Sequence, residues 1–236
     1  MIIDTDFNFQ AAMVNPDKDA DKYSKILQEY HRILWSKSLP NGAPFNLEKL
    51  NTACLLRHTS TIGEFILSSD RAVATFLRWK RLQHITSQIP HGDLNQFIHI
   101  TETIGAIMIW PSTKVDGKNT INGERGFNRK ICDRLDLTIE CIRLYYLGQD
   151  NPLFETFKRY ESFFNLFEDF RGYINFFLLQ DFVSDDYESV VIAPPFDGFK
   201  SEPVPIGVDE YIAYMKQTTE LIKARNNRIA EYASQL

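Results

Sequence analysis

Thr120-Ile-Asn-Gly-Glu-Arg-Gly-Phe-Asn128 runs directly into Arg129-Lys-Ile-Cys-Asp-Arg-Leu-Asp-Leu-Thr-Ile-Glu-Cys-Ile-Arg-Leu-Tyr-Tyr146. The first part is polar and carries Gly123 and Gly126. The second places Ile131, Leu135, Ile139, Ile142 and Tyr146 at steps of four, four, three and four, a continuous stripe for burial on one side of a helix. Asp133, Asp136, Glu140 and Arg143 step by three, four and three and form a second face. The spacing predicts a polar loop over 112–128 feeding a helix over 129–147. Acids in its first turns and an arginine later suit the helix dipole, and Glu140 is placed to pair with Arg143.

Downstream, helices are expected over 153–167, after the start signal Asp150-Asn151-Pro152, and over the nearly uniform apolar run 170–182. Val190-Val-Ile-Ala193 reads as a strand, and prolines stiffen the loop after it. A long helix is expected over about 209–233, with Tyr211, Met215, Leu221 or Ile222, Ile229 and Tyr232 facing inward. Upstream, Tyr23, Ile26, Leu27, Tyr30, Ile33 and Leu34 predict a helix after Asn15-Pro16-Asp17 that stops at Leu39-Pro40-Asn41-Gly42. Residues 53–57 and 64–67 read as short strands. Ser68-Ser69-Asp70 offers cap oxygens to a helix carrying Val73, Phe76, Leu77, Leu82 and Ile85. A short helix over 93–100 and a buried strand over 103–110, stopped by Pro111, complete the pattern. The expected fold is α+β, predominantly helical with a small sheet, and residues 1–236 form one domain because no linker divides the core.

Composition narrows the partners. Hydrophobic residues make up 44% and aromatics 13% of 236 residues, enough for a substantial core. The formal net charge is -5 with basic residues scattered, which argues against duplex DNA. Cys54, Cys132 and Cys141 lack metal-site spacing and read as buried free thiols, so no metal is expected. An odd cysteine count, and acids where a secretory signal would need basic residues, imply the cytoplasm. No window reaches the ~20 apolar residues that span a bilayer.

The central stretch also carries the candidate chemistry. Gly117, Gly123 and Gly126 allow close backbone approach, and Arg125 and Arg129 stand where helix amides would favour an anion. A phosphate-bearing, nucleotide-like small molecule is the expected ligand. Arg125 and Arg129 would hold phosphate near Gly126, with Asn122 and Asn128 orienting the loop. Asp133, Asp136, Glu140 and Arg143 would line the other side, Asp136 and Glu140 as catalytic candidates. Neither a Walker A loop nor a GxGxxG occurs, so the cofactor stays undefined. The acid face equally suits a solvated helix, in which case the loop is a protein-binding surface of a bacterial or phage defence- or toxin-related system.

Arg78 and His84 resemble the arginine–histidine spacing of HEPN ribonucleases, which implies RNA cleavage as a third reading. Leu56-Arg57-His58-Thr59-Ser60 resembles the early NAD-holding segment of ADP-ribosyltransferase-like folds. Across most of the chain, further blocks form a pattern: Leu34-Trp35-Ser36-Lys37, Leu67-Ser68-Ser69-Asp70, Thr103-Ile104-Gly105, Thr120-Ile121-Asn122-Gly123 with Arg125-Gly126, Asp133-Arg134, Phe176-Phe177 to Asp181, and Lys223-Ala224-Arg225-Asn226. In these the chain resembles a bacterial domain family of unknown function. It departs from that pattern at Ala106, Trp110, Leu135 and Glu124. The resemblance implies one domain and transfers no activity.

Overall fold

The computed structural model describes residues 3–50 and 55–236. Its first helix pair is α1 (Ala20–Tyr23) and α2 (Lys25–Trp35). The single helix expected here is broken at Ser24, whose extended backbone and side chain cap α2 by accepting from the Leu27 amide. A serine that bonds its own neighbourhood competes with helix continuation, and Tyr23 and Ile26 consequently stay exposed. β1 (Lys37–Ser38) and β2 (Pro44–Phe45) form a small hairpin across Pro40–Gly42. A second antiparallel sheet has the order β3 (Glu48–Lys49), β4 (Leu56–Ser60), β5 (Gly63–Arg71) and β6 (Ile107–Pro111). The strand expected from Ala53 is present from Leu56. Residues 53 and 54, with Cys54, lie outside the described residues.

β5 overturns one expectation. Ser68-Ser69-Asp70 caps no helix, because the strand runs on to Arg71 and pairs with β6 through Ser68↔Trp110, Ser69↔Ile109 and Asp70↔Met108. β6 is buried along its whole length, so its backbone groups need that partner. Val73 to Leu77 form no helix. A 3-10 turn at Lys80–Leu82 and the short α3 (Gln83–Thr86) follow instead, then α4 (His91–Thr101), close to its expected span.

Residues 120–146 also depart from expectation. α5 (Ile121–Phe127) occupies the expected loop, capped by Thr120 Oγ1 accepting from the Gly123 amide at 3.3 Å. α6 (Leu135–Tyr146) begins at Leu135 rather than Arg129. Between them Cys132 and Asp133 have φ of 51° and 60°, a left-handed conformation that a right-handed helix cannot pass through. The expected 153–167 helix divides into α7 (Phe154–Arg159), α8 (Glu161–Phe164) and a 3-10 turn. The 170–182 run divides into α9 (Phe170–Phe176) and a 3-10 turn at Gln180–Phe182. Val190 makes an isolated bridge to Val183 in place of a strand. α10 (Val208–Ala233) matches its expected span.

One buried cluster joins the four-stranded sheet to an aromatic group including Phe163, Phe164, Phe167, Tyr173, Phe176 and Phe177. A second gathers Phe76, Phe97, Tyr211, Tyr214 and Met215. α10 serves both, Leu221 and Ile229 in the first and Ile222 in the second. Three arginines are buried within this frame: Arg125, Arg134 and Arg225. Cys132 and Cys141 are buried free thiols. Among the described residues, no helix is long and apolar enough to cross a membrane.

Candidate functional site

Two periodicities create the polar cluster. Along β5, alternation puts Ser68 and Asp70 on one face, while Leu67 and Ser69 are buried on the other. On α5, Asn122 and Arg125 are three apart and share a face. The helix lies against the strand so that Asn122 Nδ2 donates to Ser68 Oγ at 3.4 Å and Arg125 Nη1 donates to Asp70 at 2.5 Å. The left-handed turn before α6 brings Asp133 within 3.2 Å of the same Nη1. Arg125 Nε donates to Thr138 Oγ1 at 2.8 Å. Its guanidinium sits 4.7 Å from the Trp110 ring centroid, and Trp110 Nε1 donates to Tyr173 at 3.0 Å. An aromatic floor fixed by its own hydrogen bond therefore carries the cation.

Arg125 has no exposed side-chain surface, whereas Asp70 and Asp133 keep 23% and 38% of theirs. The carboxylates are thus the accessible edge of a buried charge. Arg125 Nη2 and Asn122 Oδ1 are buried without a hydrogen-bond partner. Around this centre, the Arg71 amide donates to Asp21 Oδ2 at 2.8 Å and Ser69 Oγ to the Asp21 carbonyl at 2.7 Å. The Arg71 guanidinium pairs with Glu102. Burial raises Asp70 well above the usual carboxylate range, opposed by Arg125 and reinforced by Asp133. Burial likewise raises Asp133 against the pull of Arg125. Asp21 is pushed up to about 7 by burial and then by Asp19. Glu102 is raised by burial, with Arg71 and Arg78 opposing. A cluster of carboxyls displaced toward neutrality is equipped to exchange protons or to accept hydrogen bonds from a ligand.

Of the residues singled out in the sequence, Asn122, Arg125 and Asp133 converge here. The others take different partners. Asp136 is buried, but it pairs with Arg134 at 2.7 Å and accepts from the Ala193 amide at 2.9 Å. Arg134 also donates to the carbonyls of Ala193, Pro195 and Pro203, so this pair anchors the proline-rich loop. Glu140 and Arg143 pair with each other at 2.7 Å. Asn128 ends α5 and bonds the Lys130 amide and the Pro152 carbonyl. Gly126 is exposed on α5 with no atom near its missing side chain. Arg129 is 81% exposed and reaches Glu202 at 3.5 Å. No helix starts at Arg129, and Arg125 is already matched by two carboxylates, so the expected anion cradle between them does not form.

Arg78 lies ahead of the 3-10 turn and His84 within α3, so no single helix carries both. Arg57 pairs with Glu48 and Glu64, and His58 is buried and stacked on Phe45. Ser68, Asp70, Arg71, Asp21 and Glu102 were missed as site residues. No alternation in the sequence marks β5, because Phe65-Ile66-Leu67 are all apolar and Ser68-Ser69-Asp70-Arg71 all polar; only the folded strand alternates in burial. Among the described residues, no group of three or more His, Cys, Asp or Glu side chains is arranged to hold a metal ion.

A family model described as "Family of unknown function (DUF6994)" matches residues 3–229. No curated protein and no solved structure matches the chain.

Proposed function

The chain belongs to this family of unknown function, and from its polar cluster we propose that it binds a small nucleotide-like molecule over Asp70, Arg125 and Asp133. The observation that carries the reading is the buried guanidinium flanked by two partly open carboxylates. Sugar hydroxyls or an exocyclic amine would donate to Asp70 and Asp133, which Arg125 holds in place. Phosphate falls to Arg78 rather than Arg125. Arg78 is exposed, forms no ion pair among the described residues, and is one of the charges that oppose the burial-driven rise of Glu102. The raised carboxyls give the same site an acid–base capacity, should the ligand be a substrate. The buried thiols Cys132 and Cys141 fit a cytoplasmic setting.

Calorimetric titration with nucleosides, nucleotides and inorganic phosphate tests this reading. Binding of a nucleoside or nucleotide is expected, weakened about tenfold or more in Asp133→Asn, because hydrogen bonds to charged groups contribute about 1.5–3 kcal/mol. Arg78→Ala is expected to affect only the phosphorylated ligands. No binding at millimolar ligand would reject the reading and favour a protein-interaction role.

A further inference from the structure

Trp35-Ser36-Lys37 plays no part in the polar cluster, yet it places an unusual amine. Lys37 Nζ lies 5.2 Å from the Trp35 ring centroid, 4.8 Å from Phe176 and 4.6 Å from Tyr232. No carboxylate pairs with it among the described residues. Beyond the cage, buried Arg225 lies 6.0 Å from the same Trp35 ring. His31 is buried beside Trp35, accepts from its indole N–H, and is held neutral by burial. Among the described residues no acid pairs with the Lys37 ammonium, and a second cation opposes it.

The lysine opens on a cleft of about 290 Å³ lined also by Ser38, Leu39, Pro40, Gly172, Asn175 and Phe176. Gly172 is tightly packed at the cleft wall, because a side chain there would collide with the Phe167 carbonyl and press on Pro40. Asn175 Oδ1 is engaged by Gln180 and the Tyr187 hydroxyl. Its amide nitrogen has no hydrogen bond among the described residues and is left for a ligand oxygen. The three ring faces favour the ammonium; enclosure by apolar surface, the neighbouring Arg225 and the lack of a paired carboxylate act the other way and favour the free amine, the nucleophilic form.

We propose that Lys37 is a nucleophilic lysine that condenses with a small aldehyde or ketone held in this cleft, giving an imine. The nitrogen lone pair attacks the carbonyl carbon, forming a C–N bond while a proton moves to the oxygen. Loss of that hydroxyl with the remaining amine proton releases water and leaves C=N, with no change of oxidation state. Burial and Arg225 pull the Lys37 pKa down to about 7, so a large fraction is free amine at neutral pH. An ordinary exposed lysine, with a pKa of about 10.4, has roughly one part in a thousand or less.

The test treats the full chain with limiting propionaldehyde and cyanoborohydride at pH 7 and at pH 10, then maps modified lysines by peptide mass spectrometry. Lys37 is expected to react at least tenfold faster than any other lysine at pH 7, with the advantage gone at pH 10. Lys37→Met should remove that fast site and leave the far-ultraviolet circular dichroism unchanged. Parallel acetic anhydride labelling separates a reactive amine from a carbonyl site. Fast acetylation of Lys37 without preferential reaction with aldehyde would overturn the proposal, as would labelling no faster than at exposed lysines in both arms.

Discussion

Asp21 shows how a single carboxyl is set by its surroundings. Its side chain accepts the Arg71 amide at the end of β5 and sits beside Asp19. Burial and the neighbouring acid outweigh the favourable contacts, so the folded protein holds this proton up to about pH 7. In an unfolded chain it leaves near pH 4. The native state therefore binds more protons between these values, and the Asp21 contribution to stability, complete below pH 4, is lost as pH rises through 7. Asp21→Asn keeps an oxygen for the Arg71 amide without the charge. Relative to the parent, its urea midpoint should rise between pH 4 and pH 8, and a difference independent of pH would show that the carboxyl is not buried in charge terms.

At the scale of elements, glycine positions separate packing from ligand access. Gly126 lies within α5, and a side chain there would meet open space. Gly126→Ala should stabilise the protein by about 0.5–1 kcal/mol through helix propensity. Gly172 on α9 faces the Phe167 carbonyl, and Gly172→Ala should cost about 1–3 kcal/mol as overpacking. Equal effects in chemical denaturation would contradict these placements. α10 was readable because its periodicity runs unbroken for many turns, as was the burial of Ile131, Leu135, Ile139 and Ile142. Periodicity carries no sign of φ, however, so the left-handed turn at Cys132 and Asp133 was invisible. Asn122, Arg125 and Asp133 could be picked as polar candidates beside a helix. Asp70 could not, since Ser68-Ser69-Asp70 has the same local chemistry as a cap, and its real partner Arg125 lies 55 residues away.

For the molecule as a whole, α10 is the tie. Asn226 accepts from the Gly105 amide at 2.7 Å and donates to Thr103 Oγ1 at 2.9 Å. Arg228 grips Asp181 through two bonds of 2.8 and 2.9 Å. Since α10 belongs to both buried clusters, ending the chain after Gly207 should abolish cooperative unfolding, read by coincident tryptophan fluorescence and circular dichroism. A sharp transition in the shortened protein would make α10 an accessory. Arg225 has a different consequence. Wholly buried, it donates to the carbonyls of Gly105, Ile107 and Phe177, from two separate stretches of chain, and pairs with no carboxylate among the described residues. Lysine lacks the fork to serve all three, and an apolar residue would strand them. Any single substitution at this position therefore leaves buried carbonyls without a donor, so a stable replacement needs a second change that supplies one.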